Sequence, residues 1–120
     1  MIALRDNSPA VVGPGIYPML YAFFDDRGVL RQDPFRLQVD VALGTQAAGV
    51  AILGLGTEVS KLTFDERIEV LEVVAERIEG RKPLLATVYG DTITEQIEFS
   101  KRAIQSGASA LMLQPPSQKM

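Results

Sequence analysis

Cysteine and histidine are both absent from the 120 residues of this chain. Without cysteine there is no disulfide, no thiolate nucleophile and no zinc–sulfur site. Without histidine there is no Ser-His triad, no imidazole general base and little scope for transition-metal binding. Any chemistry here has to rest on carboxylates, lysines, tyrosines, hydroxyls or backbone amides. Basic residues are also too few and too scattered to form a nucleic-acid footprint, since 12 Lys and Arg against 15 Asp and Glu leave a net charge of −3. No apolar run is long enough to span a bilayer, and the opening residues MIALRDNSP lack the order of a signal peptide. The expected setting is cytoplasmic, with neither nucleic acid nor membrane as partner.

What is present is the composition of a folded chain: 47% apolar and 22% charged. The length allows one domain at most and a modest core. Residues 1–14 read as a flexible lead-in that ends at Gly13-Pro14-Gly15, and residues 15–120 as the folded part.

Residues 16–24, IYPMLYAFF, are rich in β-formers and are expected to hold a first strand, with Pro18 marking a break or an end within it. Asp25-Asp26-Arg27-Gly28 reads as a turn; two adjacent carboxylates before a glycine indicate a bend rather than a metal site. Asp33-Pro34 has the form of an N-cap followed by proline at the first helical position. Phe35, Val39, Leu43 and Ala47 then recur every four residues, predicting a first helix that stops at Gly49.

The stretch VAILGLGTEVSKLTFDER, residues 50–67, is the most informative. Its first four residues are apolar without alternation, as in a strand buried on both faces of a parallel sheet. Gly54-Leu55-Gly56-Thr57-Glu58 follows at once, where glycines let the backbone approach a ligand closely. Thr63-Phe64-Asp65-Glu66 has the S/T-x-x-E spacing of a capping box. Behind it Phe64, Ile68, Leu71, Ala75 and Ile78 define one apolar face of a second helix, with Glu69, Glu72, Glu76 and Arg77 largely off that face and Gly80 at its end.

Residues 83–88, PLLATV, predict a third strand. Thr92 and Glu95 predict a second capping box, opening a helix with Ile93, Ile97, Ser100 and Ile104 in line. Gly107 closes it, and Ala110-Leu111-Met112-Leu113 predicts a fourth strand. The glycines ending the helices fall roughly thirty residues apart. A βα unit repeated at that spacing indicates an all-parallel sheet, either doubly wound or closed into a (β/α)₈ barrel. Neither G-x-G-x-x-G nor a phosphate-loop motif follows any strand, so nucleotide-binding versions have no support.

Gly54-x-x-x-Glu58, the downstream Leu62-Thr63-Phe64-Asp65-Glu66-Arg67 and the N-terminal Phe24-Asp25-Asp26-Arg27-Gly28 together resemble the dihydrodipicolinate synthase / N-acetylneuraminate lyase family. The resemblance implies a (β/α)₈ TIM barrel, of which this chain covers the N-terminal half: about four strands and three helices. It implies a class I aldolase or lyase that holds a pyruvate-like 2-oxo acid as a lysine Schiff base. It also implies a homo-oligomer, a tetramer in most of the family, and no cofactor.

In the family the Schiff-base lysine lies on a later strand, so no catalytic residue is expected within this chain. The family's loop G-[ST]-T-G-E, which holds the substrate carboxylate, corresponds to Gly54, Leu55, Gly56, Thr57 and Glu58. Its two hydroxyl positions are here Leu55 and Gly56, leaving the backbone amides and Thr57 as the donors, with Glu58 fixing the turn. Tyr89, just after the third strand, is a candidate to line the pocket. Tyr17 and Tyr21 are expected in the core, and Lys61, Lys82, Lys101 and Lys119 in solvent. Where the family often has P-Y-Y after the fourth strand, this chain has Pro115-Pro116-Ser117, which argues for a divergent lyase or aldolase over dihydrodipicolinate synthase itself. The alternative is a truncated or non-catalytic half-barrel that self-associates or only binds a small carboxylate.

Overall fold

The structure, a computed structural model, describes residues 9–115. Part of the expected lead-in, residues 1–8, and the C-terminal residues 116–120, which include Lys119, lie outside the described residues.

Strands and helices alternate as the glycine spacing suggested. Helix α1 spans Asp33–Leu43, strand β1 Val50–Ile52, helix α2 Phe64–Ile78, strand β2 Leu84–Val88, helix α3 Ile93–Ser106 and strand β3 Ala110–Leu113, with a single 3₁₀ turn at Val59–Lys61. The strands form one parallel sheet in the order β1-β2-β3, with Ile52 opposite Ala86 and Thr87 opposite Met112.

The predicted first strand is not a ladder. Residues 16–20 run alongside β1 and meet it in one parallel bridge, Met19 to Ala51. The Leu20 N–H donates to the Ala51 carbonyl and the Ala51 N–H to the Pro18 carbonyl, each at 2.9 Å. Proline has no N–H to give, so pairing cannot extend evenly through Pro18. The following turn forms as read: the Asp25 carboxylate accepts from the N–H groups of Arg27 (2.8 Å) and Val29 (3.0 Å). Among the described residues no group of three or more acidic, histidine or cysteine side chains is arranged to hold a metal.

Helix α1 departs from the sequence reading at both ends. Gln32, not Asp33, is the N-cap and makes no side-chain cap; the Asp33 carboxylate instead pairs with Arg36 at 2.9 Å. The helix stops at Gly44, before Ala47. The carbonyls at and just beyond its end need donors, and Lys82 supplies one: its ammonium donates to the Ala42 (3.1 Å), Thr45 (3.0 Å) and Ala47 (2.7 Å) carbonyls. Lys82 is therefore a tertiary cap on α1 and not the solvated lysine expected. Nearby, Gly49 fits because a Cβ there would stand 2.4 Å from the Pro83 carbonyl oxygen and 2.6 Å from the Tyr17 ring.

Helix α2 begins with the full reciprocal capping box. Glu66 N–H donates to Thr63 Oγ1 (3.1 Å), and Thr63 N–H to Glu66 Oε1 (2.9 Å). Its buried face is wider than the predicted stripe, adding Val70, Val73, Val74 and Arg67, because α2 packs against α1, α3 and the sheet together. Glu72 and Arg77 face outward and reach across to Arg102 (2.7 Å) and Asp40 (2.6 Å).

Helix α3 is rolled relative to the expectation. Phe99 and Ala103 enter the core, whereas Ile93, Ile97 and Ile104 are 41%, 50% and 64% exposed. The aromatic ring and the small residue fit over the sheet, and the isoleucine line turns away. The core itself lies between the helices and one face of the sheet, around Phe35, Val39, Val50, Ile52, Leu71, Val74, Val88 and Phe99. Burying a side chain of this kind contributes about 1.5–3 kcal/mol. No described helix is long and apolar enough to cross a membrane.

Candidate functional site

Parallel strands gather their C-terminal ends at one edge of the sheet, which is where α/β proteins build sites. Here that edge carries residues 53–58 after β1, residues 89–92 after β2 and Gln114 after β3.

The loop after β1 begins and ends with left-handed backbone at non-glycine residues: Leu53 at φ 67° and Glu58 at φ 57°. That conformation disfavours L side chains and concentrates at functional or tightly constrained positions. Thr57 supplies the constraint. Fully buried, its hydroxyl donates to the Leu20 carbonyl and accepts from the Leu53 N–H at 3.0 Å, pulling the loop back onto the first segment. The turn closes through Glu58 N–H to the Leu55 carbonyl at 2.9 Å.

Gly54 and Gly56 have no positive φ. Met19 packs close against both: a Cβ on Gly54 would lie 2.4 Å from Met19 Cε, and one on Gly56 3.0 Å from Met19 Cγ. The Gly54 N–H already points at Met19 Sδ, 3.2 Å away. Leu55 is 87% exposed. Among the described residues, the N–H groups of Leu55, Gly56 and Thr57 find no acceptor. Thr57 is fully buried, which leaves the successive amides of Leu55 and Gly56 as the donors an anion could meet at this turn.

Glu58 differs from the expected role in one respect. Its backbone shapes the turn, but its carboxylate turns outward to Lys61 at 3.1 Å rather than to loop amides. Tyr89 is half-buried and borders an open hollow of about 270 Å³, with Leu55, Glu58, Ser60, Lys61 and Gln114 also on its walls. Tyr21 is not core as expected. It is 60% exposed, its ring edge 3.7 Å from the Cβ position of Gly56, while Tyr17 is half-buried against Gly13.

Arg67 is the residue whose importance the sequence reading missed. It is 3% exposed, and its guanidinium ion-pairs with Glu95, donates to the Tyr89 carbonyl and reaches the Thr63 carbonyl at 3.3 Å. It also lies 5.4 Å from the Tyr89 ring centroid and 5.5 Å from that of Phe64. This ties the start of α2 to the loop after β2. It also corrects the second capping box: Thr92 accepts from the Glu95 N–H at 3.2 Å, but the Glu95 carboxylate serves Arg67 instead of closing the box. Gln96 completes the rim by donating to the carbonyls of Gly90 (3.2 Å) and Gln114 (3.0 Å). The only sequence signal was an arginine four residues after an N-cap threonine, on a face otherwise apolar.

Comparison with known proteins agrees with this architecture. The profile of the Dihydrodipicolinate synthetase family matches residues 13–117. The chain belongs to that family. It is 32% identical over 89 residues to a 4-hydroxy-tetrahydrodipicolinate synthase of Pelobacter propionicus, an alignment covering 74% of this chain and 31% of the relative. A second synthase, from Natronomonas pharaonis, is 32% identical over 105 residues, covering 85% of this chain and 34% of the relative. The chain thus spans about a third of the length of the relatives it matches.

Among solved structures, N-acetylneuraminate lyase of Mycoplasma synoviae superposes with a TM-score of 0.80 at 26% identity, over 88% of this chain and 37% of the lyase. A prophage protein of the dihydrodipicolinic acid synthase family from E. coli K12, solved in complex with pyruvate, gives 0.81 at 28% identity, over 88% of this chain and 36% of its own. The three parallel strands and their helices are thereby placed within a TIM-barrel fold, as a part of the barrel.

Proposed function

We propose that the protein carrying this chain is a lyase or aldolase that takes up a pyruvate-like 2-oxo acid as a Schiff base. The lysine comes from outside these 120 residues, and residues 54–57 receive the substrate carboxylate. The observation that carries this reading is the pair of free amides at Leu55 and Gly56, held at the C-terminal edge of the sheet by the buried Thr57 hydroxyl. Converging N–H donors fixed before the ligand arrives stabilise an anion without reorganisation. Thr57 is fully buried with its hydroxyl occupied, so it holds the loop in place, and the donors open to a ligand are the backbone N–H groups of Leu55 and Gly56. Tyr89 borders the entrance. The pyruvate complex of the E. coli prophage relative supports a small 2-oxo acid as the ligand class.

In the reaction the lysine amine attacks the ketone carbon and water leaves, giving a cationic imine; the carboxylate remains to be bound. Leu37 and Val41 on α1 and Ile97 and Ile104 on α3 are exposed apolar residues, surface that the rest of a closed barrel or a further subunit could cover. Borohydride reduction tests the reading. Treated with pyruvate, the natural protein is expected to gain one reduced pyruvate adduct by intact mass. A protein left unmodified at saturating pyruvate would refute Schiff-base chemistry and favour a half-barrel that only binds a small acid.

A further inference from the structure

Thr87 occupies a position the loop does not explain. On β2, Ala86 and Val88 are fully buried in the core under the helices, so strand alternation sends Thr87 to the opposite face of the sheet, in register with Met112. The residue is only 4% exposed. Its Oγ1 lies 3.6 Å from where a Cβ of Gly54 would stand, at the root of the anion-binding loop. Among the described residues nothing donates to or accepts from this hydroxyl, and no polar side-chain atom is fully sealed without a partner, so the oxygen is not closed off from solvent.

A hydroxyl with an opening but no protein partner gives the fold no hydrogen bond that a valine of the same shape would lose, and it is free to meet a ligand. The loop, meanwhile, has no hydroxyl of its own to offer. Leu55 is apolar and points to solvent, Gly56 has no side chain, and the Thr57 hydroxyl is held between Leu53 and Leu20.

We propose that Thr87 is a further substrate-contacting residue, its hydroxyl donating to the carboxylate that residues 54–57 receive. The proposal rests on the 2-oxo acid reading above and assigns the side-chain donor to the neighbouring strand instead of the loop. The amides approach the carboxylate from one side and the Thr87 hydroxyl from the sheet beneath. Met19, whose side chain contacts the same glycines, bounds the space between them.

The test uses the natural protein, with Thr87→Val and Thr87→Ser, and follows borohydride-trapped adduct against concentration for pyruvate and for hydroxyacetone, which lacks the carboxylate. Thr87→Val is expected to unfold at the same or a higher temperature than the wild type. It is expected to need about tenfold more pyruvate for half-maximal trapping, with hydroxyacetone trapping unchanged. Thr87→Ser should behave as wild type with both. A Thr87→Val curve within about twofold of wild type for pyruvate, or an equal weakening for both ketones, overturns the assignment while leaving the Schiff-base reading intact. A wild-type protein that traps neither ketone overturns both. If the valine variant does not fold, Thr87→Ala against Thr87→Ser applies the same criterion.

Discussion

Removing the Glu95 charge is expected to destabilise the protein more than removing Arg67 itself, although Glu95 is the more exposed partner. The side chains are 4% exposed for Arg67 and 29% for Glu95. Glu95→Gln leaves a guanidinium in a nearly closed site with no counter-charge, a change that costs about 3–5 kcal/mol in buried pairs. Gln still offers a carbonyl oxygen, which brings the expectation to about 2–3 kcal/mol. Arg67→Met removes the charge and keeps much of the aliphatic stem, and the freed Glu95 carboxylate can turn to water. The Thr63 carbonyl remains satisfied by the Arg67 backbone N–H at 3.0 Å. What is lost is the donor to the Tyr89 carbonyl and the two ring contacts, about 1–2 kcal/mol together. The double variant should cost no more than Arg67→Met alone, because the Gln then meets no stranded charge. Urea unfolding followed by far-UV circular dichroism reads all three. The reasoning fails if Glu95→Gln lies within about 0.5 kcal/mol of wild type, or if the two single costs simply add.

Thr57→Val strips the hydroxyl that links Leu53 to Leu20 and should cost about 2–3 kcal/mol, with faster amide hydrogen exchange at Leu53 as the local signature. Lys82→Met leaves three carbonyls at the end of α1 without their shared donor. A loss of about 1–3 kcal/mol is expected in denaturant unfolding, and Lys82→Arg should recover part of it. Asp40 is held below its ordinary carboxylate range, first by the hydrogen bonds from Arg77 and then by the nearby charges of Arg77 and Arg81. A depressed carboxylate contributes stability that is present above its unfolded value and lost as pH falls through the folded one. Melting temperature should therefore drop on acidification below about pH 4. Asp40→Asn should flatten part of that drop and change little near neutrality.

Much of the framework is legible in the linear chain because its signals are local. The Thr63 and Glu66 capping box lies within one helical turn and forms as spaced. Gly107, at positive φ, caps α3 as read, whereas α2 is capped one residue early by Glu79, itself left-handed at φ 53°, with Gly80 following at positive φ. The apolar runs at residues 50–53 and 84–86 mark the two central strands. The reading went astray wherever a partner far along the chain decided the outcome. Helix α1 ends early, where Lys82 meets carbonyls 35–40 residues away. The Ile93, Ile97 and Ile104 line, periodic as it is, lost the core to Phe99 and Ala103, since periodicity cannot tell which of two stripes fits the sheet.

For the candidate site the division is similar. The sequence by itself determined that this is a βα-repeat chain without thiol or imidazole chemistry, and that a glycine loop follows its most buried strand. It also placed the chain in its family through that loop and the helix behind it. The tertiary structure alone decided that Met19 packs against both glycines and that the Thr57 hydroxyl is consumed within the fold. It also decided that Arg67 crosses 28 residues to Glu95 and that Thr87 stands at the root of the loop with its hydroxyl unengaged. The reason is physical: caps and turns are settled by neighbours within a few bonds of the backbone. Which polar group is satisfied, and which is left for a ligand, depends on what the folded chain brings alongside it.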